Sequence, residues 1–295
     1  MIDNTKIDIH THLGLMRTER PPSPWNPKDC YIADSEEMVR YLKSQGVVAV
    51  ISLTDAVDSN RNIYATQKIA EKYPGFVHFS CNFEDSANPG EVYDRMCEYK
   101  MMGAVSVGEL AINQWINSPL ITAIFESAEK LCLPVTFHMS PEPGYAYGIC
   151  DRPGLPLLEE ALKSFPNLKF VGHSQTFWLE ISGDAPSGGN QARSRLGEGP
   201  VLSGGVIPRL METYPNLFGD LSAYSGSRAI MRDEEFGLGF LEKYQDRLMY
   251  GSDAINSYQV MPLFKYLDDS VNDERISRMT YEKICYQNAR KLFNI

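Results

Sequence analysis

The sequence is short of the features that mark several large classes of protein. Its 295 residues contain 28 Lys and Arg against 38 Asp and Glu, a net charge of −10, and the basic residues form no block. Nucleic acids and anionic membrane surfaces are bound through clustered cations that neutralise phosphates. We therefore predict that this chain has no nucleic-acid partner and no membrane partner.

Long apolar runs and paired cysteines are also absent. No run approaches the roughly 18 apolar residues of a membrane span, and the first residues lack the apolar segment of a signal peptide. The six cysteines are widely spaced without a Cys-x-x-Cys pair, a pattern typical of reduced thiols. These features predict a cytoplasmic protein. Its 43% hydrophobic residues are enough to bury a full core.

Short β-rich apolar runs alternate with amphipathic stretches along the whole chain. Such alternation is typical of βαβ units around a parallel sheet. The predicted strands are Lys6–His10, Val47–Leu53, Phe76–Cys81, Ala104–Val107, Val135–His138, Lys169–Gly172, Leu217–Asp220 and Leu248–Gly251. The predicted helices are Ser35–Gln45, Asn60–Tyr73, Gly90–Met101, an apolar stripe from Ile121 to Cys132, Leu155–Phe165, Val206–Tyr214, Glu235–Tyr244, Tyr258–Asp268 and a closing helix near Asp273–Phe293.

This order of elements predicts a single (β/α)8 barrel, the TIM barrel, spanning residues 1–295. About 250 residues suffice for such a barrel. A doubly wound open sheet is the alternative, because periodicity does not reveal closure. Two long irregular stretches, Leu13–Asp34 and Ser174–Gly204, follow strands 1 and 6. They are expected on the C-terminal face, where barrels keep their active sites.

Four of the five histidines stand at the ends of predicted strands. His10 and His12 end strand 1, His138 ends strand 5 and His173 follows strand 6. Residues i and i+2 of a strand point to the same side, so His10 and His12 can hold one ion between them. Neutral imidazole is the commonest metal ligand and suits zinc and similar divalent ions. The pattern predicts a metal site at the barrel mouth.

Two carboxylates occupy equivalent positions in the sequence. Glu109 follows strand 4 and Asp253 follows strand 8. Carboxylate oxygens complete the histidine-rich sites of divalent cations. We therefore predict one or two divalent ions held by His10, His12, Glu109, His138, His173 and Asp253.

These strand ends resemble the metal-dependent hydrolases of the amidohydrolase superfamily, most closely the amidohydrolase-related branch, or family 2. The motifs are Asp-Ile-His-Thr-His on strand 1, Val-Thr-Phe-His on strand 5, Phe-Val-Gly-His on strand 6 and Tyr-Gly-Ser-Asp on strand 8. The resemblance covers essentially the whole chain, including Gly-Asp-Leu-Ser at 219–222 and the segment Asn288–Phe293. It implies a (β/α)8 barrel with one or two cations, zinc first and manganese, iron or nickel as alternatives.

The resemblance also implies how the ligands divide between two metals. Glu109 stands where many members carry a bridging carbamylated lysine, and it resembles the branches that bridge with a glutamate. The implied ligands are His10, His12 and Asp253 for the first metal, and His138 and His173 for the second. If Glu109 points away, the site would hold one metal and His138 would join the ligands of the first.

We predict a hydrolase that cleaves a C–N or C–O bond, in an amide, ester or lactone, with a metal-activated water. Asp253 would take the proton of that water and deliver it to the leaving group. In a mononuclear site, His173 would polarise the carbonyl or shuttle the proton. One alternative, implied by the same branch, is a mononuclear zinc decarboxylase of an unsaturated carboxylic acid, although Glu109 favours the hydrolase. Another is a barrel that binds a metal or ligand without turnover.

Residues in the strand-exit loops are candidates for recognising a small-molecule substrate. An arginine can clamp a substrate carboxylate with two hydrogen bonds, so the substrate could be anionic. A tryptophan can wall an apolar pocket. The barrel helices leave room for a homodimer, which the sequence does not locate. The candidates for substrate contact are Arg17, Arg193, Arg195, Arg228 and Trp178.

Overall fold

Eight parallel strands form a nearly closed barrel in the computed structural model, which describes residues 5–20 and 31–295. They are β1 (Lys6–Thr11), β2 (Val47–Ser52), β3 (Val77–Cys81), β4 (Ser106–Leu110), β5 (Val135–Ser140), β6 (Phe170–His173), β7 (Leu217–Asp220) and β8 (Leu248–Met249). Each strand pairs in parallel with the next one along the chain. The predicted (β/α)8 barrel is therefore confirmed.

The circle closes between the residues around β8 and β1. The backbone N–H of Ile9 donates to the carbonyl of Tyr250 at 3.2 Å, and that of Asp253 donates to the carbonyl of His10 at 2.8 Å. These bonds place Asp253 beside the end of β1. In an open sheet the strands at the two edges do not contact each other, so these bonds argue against the open-sheet alternative.

Helices follow the strands and cover the outside of the barrel. The fourth of them begins at Pro119 after the N-cap Ser118, and buries Ile121, Ile124 and Phe125 on its apolar side, as the stripe predicts. None of the described helices is long and apolar enough to cross a membrane. The helices are α1 (Ser35–Ser44), α2 (Ile63–Lys72), α3 (Val92–Met101), α4 (Pro119–Lys130), α5 (Pro156–Ser164), α6 (Gln175–Leu179), α7 (Asn190–Arg193), α8 (Val206–Thr213), α9 (Ala223–Met231), α10 (Glu234–Lys243), α11 (Pro262–Asn272), α12 (Arg278–Glu282) and α13 (Asn288–Phe293), with a 3₁₀ turn at Pro89–Glu91 and a π-helical turn at Lys283–Gln287.

The two stretches predicted to be long loops contain short elements. In the first, the strand Thr18–Glu19 pairs antiparallel with Tyr31–Ile32. The second contains α6 and α7, so Ser174–Gly204 is not irregular throughout. A further short strand, Ile149–Cys150, pairs in parallel with the end of β5. Helix α9 was not expected from the sequence, and it places Arg228 on a helix instead of in a loop.

Candidate metal centre

Four donor atoms from three segments converge at the C-terminal end of the barrel. His10 and His12 leave β1 on the same side, and their Nε2 atoms lie 3.2 Å apart. Glu109 Oε2 is 3.5 Å from Nε2 of His10 and 3.3 Å from Nε2 of His12. Asp253 Oδ1 is 3.6 Å from both nitrogens. The structure thus brings these four predicted ligands together.

These separations fit a divalent cation between the donors. Zinc binds nitrogen and oxygen ligands at about 2.0–2.1 Å, so the edges of a tetrahedral site measure about 3.3 Å. The donor–donor distances of 3.2–3.6 Å are close to this value. Two carboxylate oxygens also face this point beside the two imidazoles. A cation there would neutralise the negative charge of the carboxylates. The arrangement can therefore hold a divalent metal ion.

The other ring nitrogen of each strand-1 histidine is fixed by an acceptor. His10 Nδ1 lies 2.5 Å from Asp220 Oδ2, and His12 Nδ1 lies 3.2 Å from the carbonyl of Leu53. A carboxylate or a carbonyl can only accept a hydrogen bond, so the proton is on Nδ1 of both rings. The lone pairs of both Nε2 atoms are then directed at the shared point, as a metal ligand requires.

A second group of potential ligands adjoins the first. Donor atoms of Glu109, His138 and His173 lie within 4.8 Å of one another, as do those of His10, His12 and Asp253. Oε1 of Glu109 is 4.0 Å from His173 Nε2, while its Oε2 faces the strand-1 histidines. Glu109 therefore stands between the two groups, with one oxygen towards each.

Asp220 is a residue of the candidate site that sequence reasoning missed. Its carboxylate is fully buried at the end of β7, and Oδ2 also lies 3.4 Å from His173 Nδ1. Ser222 Oγ is 3.2 Å from Nδ1 of His10 and 3.0 Å from that of His173. Asp220 thus orients two ligands from behind. Its position as the last residue of a strand, in Gly-Asp-Leu-Ser, was the available signal.

The charges of the site depend on one another. Burial alone would raise the pKa of Asp220 and of Glu109, but the neighbouring histidines hold both carboxyls well below their usual range. Burial lowers the pKa of His138 to about 4, so this ring is neutral and able to act as a ligand. Burial would lower the pKa of His10, yet Asp220 and Asp253 raise it overall. The negative charges that favour a proton on His10 also favour a metal cation beside it.

Backbone geometry holds Asp253 and His10 close together. Asp253 has a φ of 53°, in the left-handed region that few residues other than glycine adopt. In this conformation its N–H donates to the carbonyl of His10 at 2.8 Å. A Cβ at Gly251 would lie 2.8 Å from Asp220 Oδ1 and 3.1 Å from His10 Cβ, so only glycine fits between them. Packing thus requires the glycine of the Tyr-Gly-Ser-Asp motif, and the aspartate of the motif is a candidate ligand.

A cavity of about 450 Å³ opens from the candidate ligands towards the loops after β2, β3 and β4. His12 and Glu109 form its inner end, and Asn82, Asp85 and Tyr147 are among its walls. No lysine or arginine of the described part of the chain lines it. A substrate in this cavity would meet the candidate ligands directly.

The predicted substrate contacts lie elsewhere. Arg17 stacks on Tyr31 at 3.6 Å and pairs with Glu19, while Arg228 donates to the carbonyl of Gly197. Arg195 lies beside a much smaller hollow near α6. None of these arginines borders the cavity at Glu109.

Arg193 and Trp178 have structural partners. Arg193 is buried and donates to the carbonyls of Pro141 and Asp151, both at 3.0 Å, so it ties two loops together. Trp178 is also buried, and its Nε1 donates to the carbonyl of Asp220 at 2.9 Å. Trp178 therefore supports the residue behind the ligands instead of walling a pocket.

We expect Asp220→Asn to weaken zinc binding by roughly 10- to 100-fold, the usual effect of altering a carboxylate that orients metal-binding histidines. Asparagine keeps the shape but removes the charge 2.5 Å from His10 Nδ1. Competition with a chromophoric chelator measures the affinity. Wild-type affinity in this variant would contradict the role given to Asp220.

Comparison with protein-family models places part of the chain in a known family. Residues 202–295, which contain Asp220 and Asp253, match the amidohydrolase model. This match covers about a third of the chain and supports the resemblance to the amidohydrolase superfamily seen in the strand-end motifs. The clustered histidines and acids agree with the divalent metal that amidohydrolases typically bind.

Solved structures share the barrel of this chain over almost its whole length. An uncharacterised TIM-barrel protein from Bordetella bronchiseptica is 17% identical, with 98% of each chain covered and a TM-score of 0.65. A probable 2-pyrone-4,6-dicarboxylic acid hydrolase from Acinetobacter baumannii is 13% identical, with 98% of this chain and 99% of that chain covered and a TM-score of 0.57. A 2,6-dihydroxybenzoate decarboxylase from Rhizobium is 15% identical, with 98% of each chain covered and a TM-score of 0.55.

These likenesses show a shared fold and do not select a reaction. The structures include both a hydrolase and a decarboxylase. No curated protein matches the sequence of this chain significantly. The choice between the two reactions therefore depends on the site itself.

Proposed function

We propose that this chain is a metal-dependent hydrolase that cleaves a C–O or C–N bond of a small, uncharged ester, lactone or amide. The observation that carries the proposal is the position of Glu109. Its Oε2 lies 3.3–3.5 Å from the Nε2 atoms of His10 and His12, and its Oε1 faces His173 at 4.0 Å. A carboxylate so placed can bridge two cations. We propose zinc as the first candidate for both.

The proposed reaction divides the work between the cation and the side chains. A bound divalent ion supplies Lewis acidity that makes water nucleophilic near neutral pH and polarises a carbonyl. The Asp253 side chain remains 28% exposed, more than that of Glu109 or His10. It can therefore accept the proton of the attacking water and pass it to the departing oxygen or nitrogen. Nε2 of His173 lies 4.0 Å from Asp253 Oδ2 and faces Glu109 Oε1, so His173 would help to hold the second cation.

The position of Glu109 supports hydrolysis over decarboxylation. In the family pattern, mononuclear decarboxylases generally lack a metal-binding acid at this strand end, whereas Glu109 faces both groups of ligands. A decarboxylase must also accept a carboxylate substrate. No lysine or arginine is among the described residues that line the cavity, and Arg20 acts on it only through its charge on Tyr147.

The walls of the cavity favour an uncharged polar substrate. Asp55 and Glu84 line it but are paired with Arg61 at 3.0 Å and Arg95 at 2.9 Å. Asp85 accepts a backbone hydrogen bond and keeps acceptor capacity towards the cavity. Hydroxyl groups of a substrate can donate to such walls, whereas a carboxylate would be repelled.

Hydrolysis is tested by supplying neutral and anionic compounds to metal-free and zinc-loaded protein. We expect the zinc-loaded protein to hydrolyse δ-valerolactone, dihydrocoumarin or 4-nitrophenyl acetate, and exhaustive chelation to remove this activity. Unsaturated carboxylic acids are assayed in parallel for carbon dioxide. Release of carbon dioxide without hydrolysis would replace the proposal with the decarboxylase, and zinc binding without either reaction would indicate a binding barrel.

The bridging role predicts a change in metal stoichiometry. We expect wild-type protein to bind two zinc ions and Glu109→Gln to bind one, because an amide cannot bridge two cations through charged oxygens. Atomic emission on dialysed protein gives the ratio. Glu84→Gln is the matched control, since Glu84 lines the same cavity but pairs with Arg95. Equal stoichiometry in wild type and Glu109→Gln would exclude the bridge.

A further inference from the structure

We propose that the Tyr147 hydroxyl is a further catalytic group, which donates a hydrogen bond to the substrate oxygen that becomes negative during hydrolysis. This inference rests on the proposed hydrolase function. It assigns a chemical role to a side chain from the loop after β5, which neither the strand-end motifs nor the candidate ligands include.

Tyr147 lies directly over a candidate ligand. Its ring centroid is 4.2 Å from that of His138, with 35° between the planes. It also lines the cavity that contains His12 and Glu109. The side chain is 62% exposed because it stands at the cavity and is not packed into the core. A substrate in the cavity would contact Tyr147 at the wall and His12 and Glu109 at the inner end.

The backbone on both sides of Tyr147 is held in place. The Asn113 side-chain amide donates to the carbonyls of Ala146 and Gly148, and its oxygen accepts from the N–H of Gly144. The N–H of Gly148 donates to the carbonyl of Ala111 at 2.9 Å. These bonds fix the loop at the residues adjacent to Tyr147. A group held in this way can act without the cost of ordering a mobile loop.

Gly148 brings the loop against the site. It has a φ of 119°, and a Cβ there would lie 2.8 Å from His138 Nδ1 and 2.9 Å from the His138 carbonyl. Glycine is therefore required for this close approach. The approach sets the Tyr147 ring on the imidazole.

The Tyr147 hydroxyl makes no hydrogen bond to the described residues, although the carboxylates of Glu109 and Asp253 are near. A tyrosine hydroxyl with its ordinary pKa of about 10 is protonated at neutral pH. The Tyr147 hydroxyl is therefore a donor without a partner among the described residues. A developing oxyanion would satisfy it.

The proposed step is balanced without an additional reagent. Attack of water oxygen on the carbonyl carbon forms a C–O bond and moves the π electrons to the carbonyl oxygen. Tyr147 donates a hydrogen bond to that oxygen and keeps its proton. The carbonyl then re-forms as the bond to the leaving group breaks, and the leaving group receives the proton that Asp253 took from the water.

Tyr147→Phe tests the role, with Tyr145→Phe as the matched control. Tyr145 lies in the same loop and is 44% exposed, but it does not line the cavity. We expect Tyr147→Phe to lower kcat for δ-valerolactone hydrolysis by roughly 100- to 1,000-fold, the cost of one oxyanion donor. KM, zinc content and affinity for δ-valerolactam, an uncleaved analogue measured by calorimetry, should change much less. Tyr145→Phe should match wild type in all four.

The possible outcomes separate this inference from the proposed function. Wild-type kcat in Tyr147→Phe, with activity that still requires zinc, would overturn the role of Tyr147 and leave the hydrolase intact. Loss of zinc in proportion to activity would also overturn it, because the ring would then only support His138. Absence of hydrolysis by zinc-loaded wild-type protein would overturn both proposals.

Discussion

Asp253→Asn is expected to lower kcat by roughly 100- to 10,000-fold while the barrel stays folded, the range for loss of a general acid or base. Asp253 Oδ1 lies 3.6 Å from Nε2 of both His10 and His12, where the attacking water must lose its proton. An amide of the same size cannot accept that proton at neutral pH. Asparagine tolerates the left-handed backbone at this position, so the substitution adds little strain.

The measurement combines steady-state kinetics on the hydrolysed lactone with zinc content and thermal unfolding. Glu84→Gln is the control, because Glu84 is a carboxylate of the same cavity that is paired with Arg95. We expect the control to change kcat less than tenfold. An Asp253→Asn protein that retains zinc and is within tenfold of wild type would remove Asp253 from the proposed mechanism.

Lys6→Met is expected to lower the free energy of unfolding by about 3–5 kcal/mol, the cost of breaking a buried ion pair by removing one partner. Lys6 begins β1 and is fully buried. Its Nζ lies 2.5 Å from Asp268 Oδ1, 2.9 Å from the Tyr281 hydroxyl and 3.8 Å from the centroid of the Phe264 ring. Methionine fills a similar volume but leaves the Asp268 carboxylate without this cation.

Urea unfolding followed by circular dichroism gives the free-energy difference. Lys265→Met is the control on α11, where Lys265 pairs with Asp269 in an exposed position. Exposed pairs contribute about 1 kcal/mol or less. The burial of the Lys6–Asp268 pair indicates that it anchors β1 to the outer helices. An equal loss of stability in the two variants would contradict this role.

Local rules were sufficient to predict the barrel and the convergence of its polar strand ends. Strand periodicity placed His10 and His12 on one side, and parallel pairing brought the ends of different strands to one rim. Glu109 and His173 were expected just after their strands and lie within them. Shifts of this size do not move a side chain away from the rim.

The paths of the loops could not be predicted, because they depend on contacts between distant segments. Arg193 was expected to bind substrate, yet it donates to two backbone carbonyls. Arg228 was placed in a loop, although α9 contains it. The small residues around Gly226 disfavour a helix on their own. A Cβ at Gly226 would lie 2.4 Å from the Leu221 backbone, so glycine permits the close approach of this helix to the residue that follows β7.

Asp220 shows a third limit of sequence reasoning. An aspartate at a strand end can be a ligand, a base or a support, and the sequence does not distinguish them. The structure does, because Asp220 contacts the Nδ1 side of His10 and His173, opposite to the nitrogens that face Glu109. The same orientation explains why Trp178 is buried behind it.

Calorimetric titration of metal-free protein with zinc tests most directly whether this site is a metal centre. The account predicts saturable binding with two equivalents in wild type and loss of the first site in His10→Ala, a variant that removes one of the four converging donors. Absence of saturable zinc binding, or binding that His10→Ala leaves unchanged, would contradict it.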